Sequence, residues 1–115
     1  MTDCLFCKIA KGEIPANIIY QDDNMVAFDD IHPQAPIHKI IIPRKHIATL
    51  NDVSNQEDWN LVTRMMQTGT MLAKQLNIAD DGYRVLMNCN AGGGQTVFHI
   101  HLHLVGGRQM TWPPG

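Results

Sequence analysis

Gln95-Thr96-Val97-Phe98-His99-Ile100-His101-Leu102-His103-Leu104-Val105 carries three of the chain's six histidines at strict two-residue spacing, with Phe98, Ile100, Leu102 and Leu104 between them. Side chains alternate faces along a strand, so the spacing predicts a β-strand with one apolar face and one face of imidazoles. A strand rises roughly 6.6 Å over two residues, which roots the outer two rings about 13 Å apart. Ala91-Gly92-Gly93-Gly94 precedes the stretch and Gly106-Gly107 follows it. Titratable rings framed by bare backbone point to phosphate chemistry.

Outward from this strand, alternating and apolar runs predict four more: Asn17 to Tyr20, Met25 to Phe28, His38 to Ile42, and Tyr83 to Asn88. Asp22-Asp23-Asn24 turns the first pair into a hairpin. Pro33 and Pro36 hold residues 29–36 in a loop, and Arg44 to Leu50 reads as a connection with a helical turn. Leu5 to Ala10 predicts a short helix ending near Gly12. Ser54 followed by Glu57 matches a capping box, and Trp59, Val62, Met65, Met66, Leu72, Ala73 and Leu76 recur at helical spacing to about Asn77. The methionine-rich stripe reads as core packing, and Cys89, placed inside a strand, as a small buried hydrophobe. The expected fold is α+β, a mostly antiparallel five-stranded sheet with one long helix and a short N-terminal helix, in a single domain over 1–115.

The chain has 115 residues and a net charge of -2, which argues against nucleic acid or an anionic membrane as the main partner. No apolar run approaches the roughly 18 residues of a membrane span. Met1-Thr2-Asp3-Cys4 lacks the pattern of a signal peptide, and three cysteines do not suggest a disulfide framework, so a cytoplasmic protein is expected.

Three readings of the histidines compete. A merely polar sheet face gains nothing from three like rings in register. A zinc site could use two of them at about 2.0–2.1 Å, but the third, rooted roughly 13 Å from the first, would need replacing by a ligand from elsewhere. In the remaining reading a neutral imidazole attacks phosphorus and splits one hard displacement into two easier ones, while its neighbours orient it, stabilise phosphate charge and protonate the leaving group. Gly92, Gly93 and Gly94 would let backbone N–H groups approach phosphate oxygens.

His99-Ile100-His101-Leu102-His103-Leu104-Val105 resembles the signature of the histidine triad (HIT) superfamily. Nearly the whole chain is similar to its Hint branch of nucleoside phosphoramidases, through Phe28-Asp29-Asp30-Ile31, Pro33-Gln34-Ala35-Pro36, His38, Ile42-Pro43-Arg44-Lys45-His46-Ile47, Asp81-Gly82-Tyr83-Arg84, Asn88, Gly93-Gly94-Gln95 and Gly106-Gly107-Arg108-Gln109-Met110 with Trp112-Pro113-Pro114-Gly115. The resemblance implies that His101 attacks the α-phosphorus of a nucleoside 5′-phosphoramidate. An amine leaves, and water then releases the nucleoside monophosphate. His103 would contact the phosphate, His99 would hold the central ring, and His38 would extend the hydrogen-bond chain. A histidine at 103, where the transferase branch has glutamine, favours hydrolysis.

The resemblance further implies that Asp30 receives the ribose hydroxyls, that Ile31 and Phe28 flank the base (adenine foremost), and that Asn88, Gly94, Gln95 and Thr96 lie near the phosphate. It implies a homodimer, with Trp112 reaching toward the partner's site. No cofactor is required by this chemistry. Cys4, Cys7, His46 and His99 match a structural zinc site of some superfamily members, while others lack metal, so zinc and a reduced thiol pair both stand as readings. A dinucleotide polyphosphate hydrolase and a nucleotide-binding regulatory module that engages partners are the alternatives in function.

Overall fold

In the computed structural model, which describes residues 3–115, the chain runs α1 (Leu5–Ala10), β1 (Ile18–Gln21), β2 (Met25–Asp29), β3 (Ile37–Pro43), α2 (Gln56–Gln75), β4 (Tyr83–Leu86) and β5 (Leu102–Gly106). The first two residues of the expected domain, and of the segment read as lacking a leader, lie outside the described residues. The strands form one sheet in the order β1-β2-β3-β5-β4, every neighbouring pair antiparallel. This is the expected α+β architecture. It places β5, with its histidines, between β3 and β4.

Both faces of the sheet are covered, which is why β2 is buried nearly throughout instead of alternating. On one face Met25, Ala27, Ile41, Ile100, Leu102 and Leu104 pack with Met65, Leu72 and Ala73 of α2. On the other, Val26, Phe28, Ile40 and Ile42 pack with Phe6 and Ile9 of α1. Gly69 lets α2 come close: a Cβ there would meet Leu102 at 3.2 Å. That closeness offsets the roughly 1 kcal/mol that glycine costs inside a helix.

The structure differs from the sequence reading at several places. Asn55, not Ser54, caps α2; its side chain accepts from the Asp58 N–H at 2.8 Å. Trp59 and Met66 point outward, at 46 % and 42 % exposure, so the buried stripe runs instead through Met65, Thr68, Gly69, Leu72 and Ala73. The helical turn after β3 falls at Leu50–Asp52, later than expected. Arg44 ties the preceding connection down by donating to the carbonyls of Asp22 and Ala10 and to Gln21. β4 ends at Leu86, which leaves Cys89 half-buried in a loop.

The largest difference concerns the opening stretch. Ladder pairing begins only at Leu102, and residues 95–101 are irregular backbone. Ala91–Gly93 makes a single 3-10 turn ending on Gly94 at φ 85, a left-handed conformation open to glycine. Gln95 then locks the loop: its Oε1 accepts from the Asn90 N–H at 2.8 Å, and its Nε2 donates to the carbonyls of Ala48 and Val97. Phe98 lies exposed, outside the apolar face assigned to it.

Candidate active site

The histidine row divides in two. His101, His103 and His38 form one group: the rings of His101 and His103 are 4.9 Å apart, and those of His38 and His103 5.1 Å. His38 reaches the group because β3 pairs with β5, aligning His38 with Val105 and Ile40 with His103. His99 joins a different group, its ring 5.2 Å from His46 and its Nδ1 facing two thiols.

Burial lowers the ring pKa values of His38, His99, His101 and His103, so these four are neutral at pH 7. His103 falls to about 4, through burial and then the nearby His101 and His38. His99 also falls to about 4, through burial with smaller pushes from His46 and His101. Asp30 and, for His101, the bond to the His99 carbonyl oppose the shift at His38 and His101.

A neutral imidazole has one donor and one acceptor nitrogen, and backbone partners assign them here. The Gln34 N–H donates to His38 Nδ1 at 3.0 Å, so the His38 proton is on Nε2. That N–H faces His103 Nδ1 at 2.9 Å and Asp30 Oδ2 at 3.3 Å. His103 therefore accepts at Nδ1 and carries its proton on Nε2. His101 donates Nδ1–H to the His99 carbonyl at 2.8 Å, which leaves its Nε2 lone pair free. The site thus presents one basic nitrogen and, from the adjacent ring, one N–H donor.

His99 therefore positions the central ring through its backbone carbonyl, not through its imidazole as expected. Its own Nε2–H donates to the Pro43 carbonyl at 2.7 Å, which turns the Nδ1 lone pair toward Cys4 and Cys7. Cys4 Sγ and Cys7 Sγ lie 3.3 and 3.5 Å from that nitrogen, and Cys7 Sγ lies 3.4 Å from His46 Nδ1. Zinc at about 2.3 Å from sulfur and 2.0–2.1 Å from nitrogen sets such atoms roughly 3.5 Å apart at tetrahedral angles. With all four donor atoms within 4.8 Å of one another, this donor set fits zinc. Burial, and then the neighbouring Cys4, push the Cys7 thiol up, so without a cation the thiol form is favoured.

Other expected residues scatter around this centre. Asn88 lines a cavity of about 270 Å³ with His38 and His103. Asp30 is held by the His32 N–H at 2.7 Å, with its second oxygen toward His38. Phe28 is buried edge-on to Phe6 at 5.4 Å, a core position, whereas Ile31 is 86 % exposed. Gly94 is exposed, and Thr96 lines a separate depression with Cys4, His46 and Phe98. The side-chain groups of Gln95 are committed to the loop, so it positions backbone. Trp112 is 82 % exposed, on a tail whose Met110 and Pro114 line the His103 cavity. Sequence reading missed Phe6, whose ring stands 5.0 Å from His101 at 87°, and the Gln34 N–H that sets the His38 tautomer. Phe6 lay in plain view between Cys4 and Cys7; the Gln34 amide had no signal.

The HIT domain family matches residues 11–110. Purine nucleoside phosphoramidase of Escherichia coli K12 is 51% identical over 108 residues, covering 94% of this chain and 90% of that protein. Among solved structures, a HIT family hydrolase from Legionella pneumophila Philadelphia 1 superposes with a TM-score of 0.95 at 57% identity, covering 98% of this chain and 100% of the other. A histidine triad protein from Clostridium difficile gives a TM-score of 0.92 at 38% identity, covering 96% of each.

Proposed function

Because the chain belongs to the HIT domain family, we propose that this hydrolase cleaves the P–N bond of purine nucleoside 5′-phosphoramidates through a nucleotidyl-histidine intermediate. The observation that carries the reading is the proton arrangement: a neutral His101 with its Nε2 lone pair free, beside a His103 that offers an N–H. The same activity is named for the bacterial relative at 51% identity.

In the first step His101 Nε2 forms a bond to the α-phosphorus as the P–N bond breaks. A proton taken up with the anionic substrate passes through His103 Nε2 to the departing nitrogen, and the amine leaves. The His38 N–H and the Asp30 carboxylate support His103 while its proton moves. In the second step water attacks phosphorus, the bond to Nε2 breaks, and its proton returns to the histidine pair. The product is a nucleoside monophosphate, AMP for an adenosine substrate. Asp30 and Ile31 receive ribose and base, with Phe28 as the floor beneath, while Asn88 and the Gly94–Thr96 backbone flank the phosphate.

Cys4, Cys7, His46 and His99 would hold a structural zinc, which when bound ties α1 to the loop before β5 and contributes nothing at phosphorus. The enzyme works in the cytoplasm as a homodimer; the unpaired outer edge of β4 and the exposed Trp112 support a second copy there. No helix among the described residues is long and apolar enough to cross a membrane.

The test is AMP release from adenosine 5′-phosphoramidate and from a diadenosine polyphosphate. Faster cleavage of the phosphoramidate supports the reading. Preference for the dinucleotide, or binding of both without turnover, overturns it.

A further inference from the structure

Arg84 and Arg108 are the charged side chains of the His103 cavity, whose other walls include His38, Asn88 and Met110. No carboxylate lines that cavity, and among the described residues neither arginine takes part in an ion pair. The histidines beside them are neutral. Two permanent positive charges therefore line the cavity without an ion-pair partner, the Asp30 carboxylate being turned to His38.

Their place in the sheet says which part of a substrate they face. β2 and β3, which bring Phe28, Asp30 and His38, lie on one side of β5, and β4 lies on the other. Arg84 is aligned with Val105, and Val105 with His38. At about 4.8 Å per strand, Arg84 is rooted roughly 10 Å from His38, beyond the histidine strand. None of Phe28, Asp30 and Ile31 lines this cavity. The leaving group departs in line with His101 Nε2, and His103, the proton donor proposed for it, lines this cavity.

Both guanidiniums are held by backbone but not used up. Arg84 gives one N–H group to the Thr111 carbonyl at 2.9 Å, and Arg108 gives Nε–H to Gln34 at 2.9 Å and one further N–H to Gln109 at 3.2 Å. A guanidinium has five donors, so each arginine retains several in a fixed fork suited to an oxyanion. A carbonyl needs only a neutral donor, so the charge and the remaining donors of both arginines suit an anion.

Resting on the phosphoramidase reading, we propose that the preferred leaving amine carries an anionic group, a carboxylate or a phosphate, which Arg84 and Arg108 bind. The cavity volume of about 270 Å³ suits a small amine of this kind.

The experiment compares adenosine 5′-phosphoramidates of β-alanine, of 2-aminoethyl phosphate and of the neutral β-alaninamide. At least one anionic substrate is expected to exceed the amide in kcat/KM by tenfold or more, and the one that does identifies the anion. That ratio is expected to collapse toward one in Arg84→Gln and Arg108→Gln, and to fall with added salt. Loosening of the tail alone would slow all three substrates and leave the ratio intact. Kd values for the same compounds on His101→Ala report the contrast without turnover. Loss of all cleavage would therefore overturn the phosphoramidase reading while the binding ratio still judged this one. Anionic and neutral amines that bind and react alike, or a preference that survives both arginine variants, would overturn it.

Discussion

His99 and His101 are two residues apart, both buried, and both donate one ring N–H to a backbone carbonyl. They use opposite nitrogens. His99 bonds through Nε2 and turns Nδ1 toward sulfur; His101 bonds through Nδ1 and leaves Nε2 free. The carbonyl that each ring meets selects its tautomer, and the tautomer assigns its task. One ring turns a lone pair toward thiols, and the other keeps a lone pair free beside imidazoles, which suits the ligand and nucleophile roles proposed for them. The two sites are joined by the backbone of residues 99–101 and by the Phe6 ring, edge-on to both imidazoles at 6.1 and 5.0 Å.

The sharpest way to break this division is to remove each ring's function in turn. His101→Ala should lower turnover of adenosine 5′-phosphoramidate by about 10⁴-fold or more, as losses of catalytic nucleophiles do, while zinc content and folding persist. Cys7→Ser should do the reverse. Zinc affinity should fall by more than the roughly 100-fold that loss of a supporting bond costs a metal site, with turnover of the folded protein reduced by less than about tenfold. If Cys7→Ser abolished turnover as His101→Ala does, the two clusters would be one site. His38→Ala removes the N–H that sets His103, and kcat should fall on the order of 10²-fold, again at full zinc content.

Acid should strain both clusters in the same direction. A ring near 6.5 unfolded and about 4 folded is neutral in both states above pH 6.5. As pH falls from 6.5 toward 4, the unfolded chain binds protons that the folded one does not, so stability drops across that window. For metal-free protein the drop is read from urea midpoints at successive pH values. The smallest change is a control remote from both sites. Asn55→Ala should cost about 1 kcal/mol in the same assay through the lost cap, leaving turnover and zinc unchanged.

Much of this was legible in the sequence where one local rule ruled alone. Apolar runs bounded by turn residues placed β2 and β3 to within a residue or two, whereas the link from the C-x-x-C to His46 and His99 came from the family resemblance. Reading failed where two rules competed. Ser54 and Asn55 are both good caps, and the Ser54–Glu57 pattern outranked the Asn55–Asp58 pair that the chain uses. Alternation through residues 95–101 looked like a strand, but the turn at Gly94 and the bonds of Gln95 decide that backbone from outside the pattern. The tautomers depend on carbonyls and amides that are the same in every residue, so no sequence signal could assign them. Arg84 and Arg108 were visible only as parts of motifs, because the strand order that brings them to His103 is a tertiary fact.

The account depends most on a bond between His101 and phosphorus. Rapid quenching of wild-type protein during turnover of adenosine 5′-phosphoramidate, followed by peptide mass spectrometry under alkaline conditions, reads it directly. The account predicts a nucleotidyl group on the His101 imidazole, absent in His101→Ala. Turnover with no adduct at any quench time, or an adduct on His99, His103 or another side chain, would contradict it.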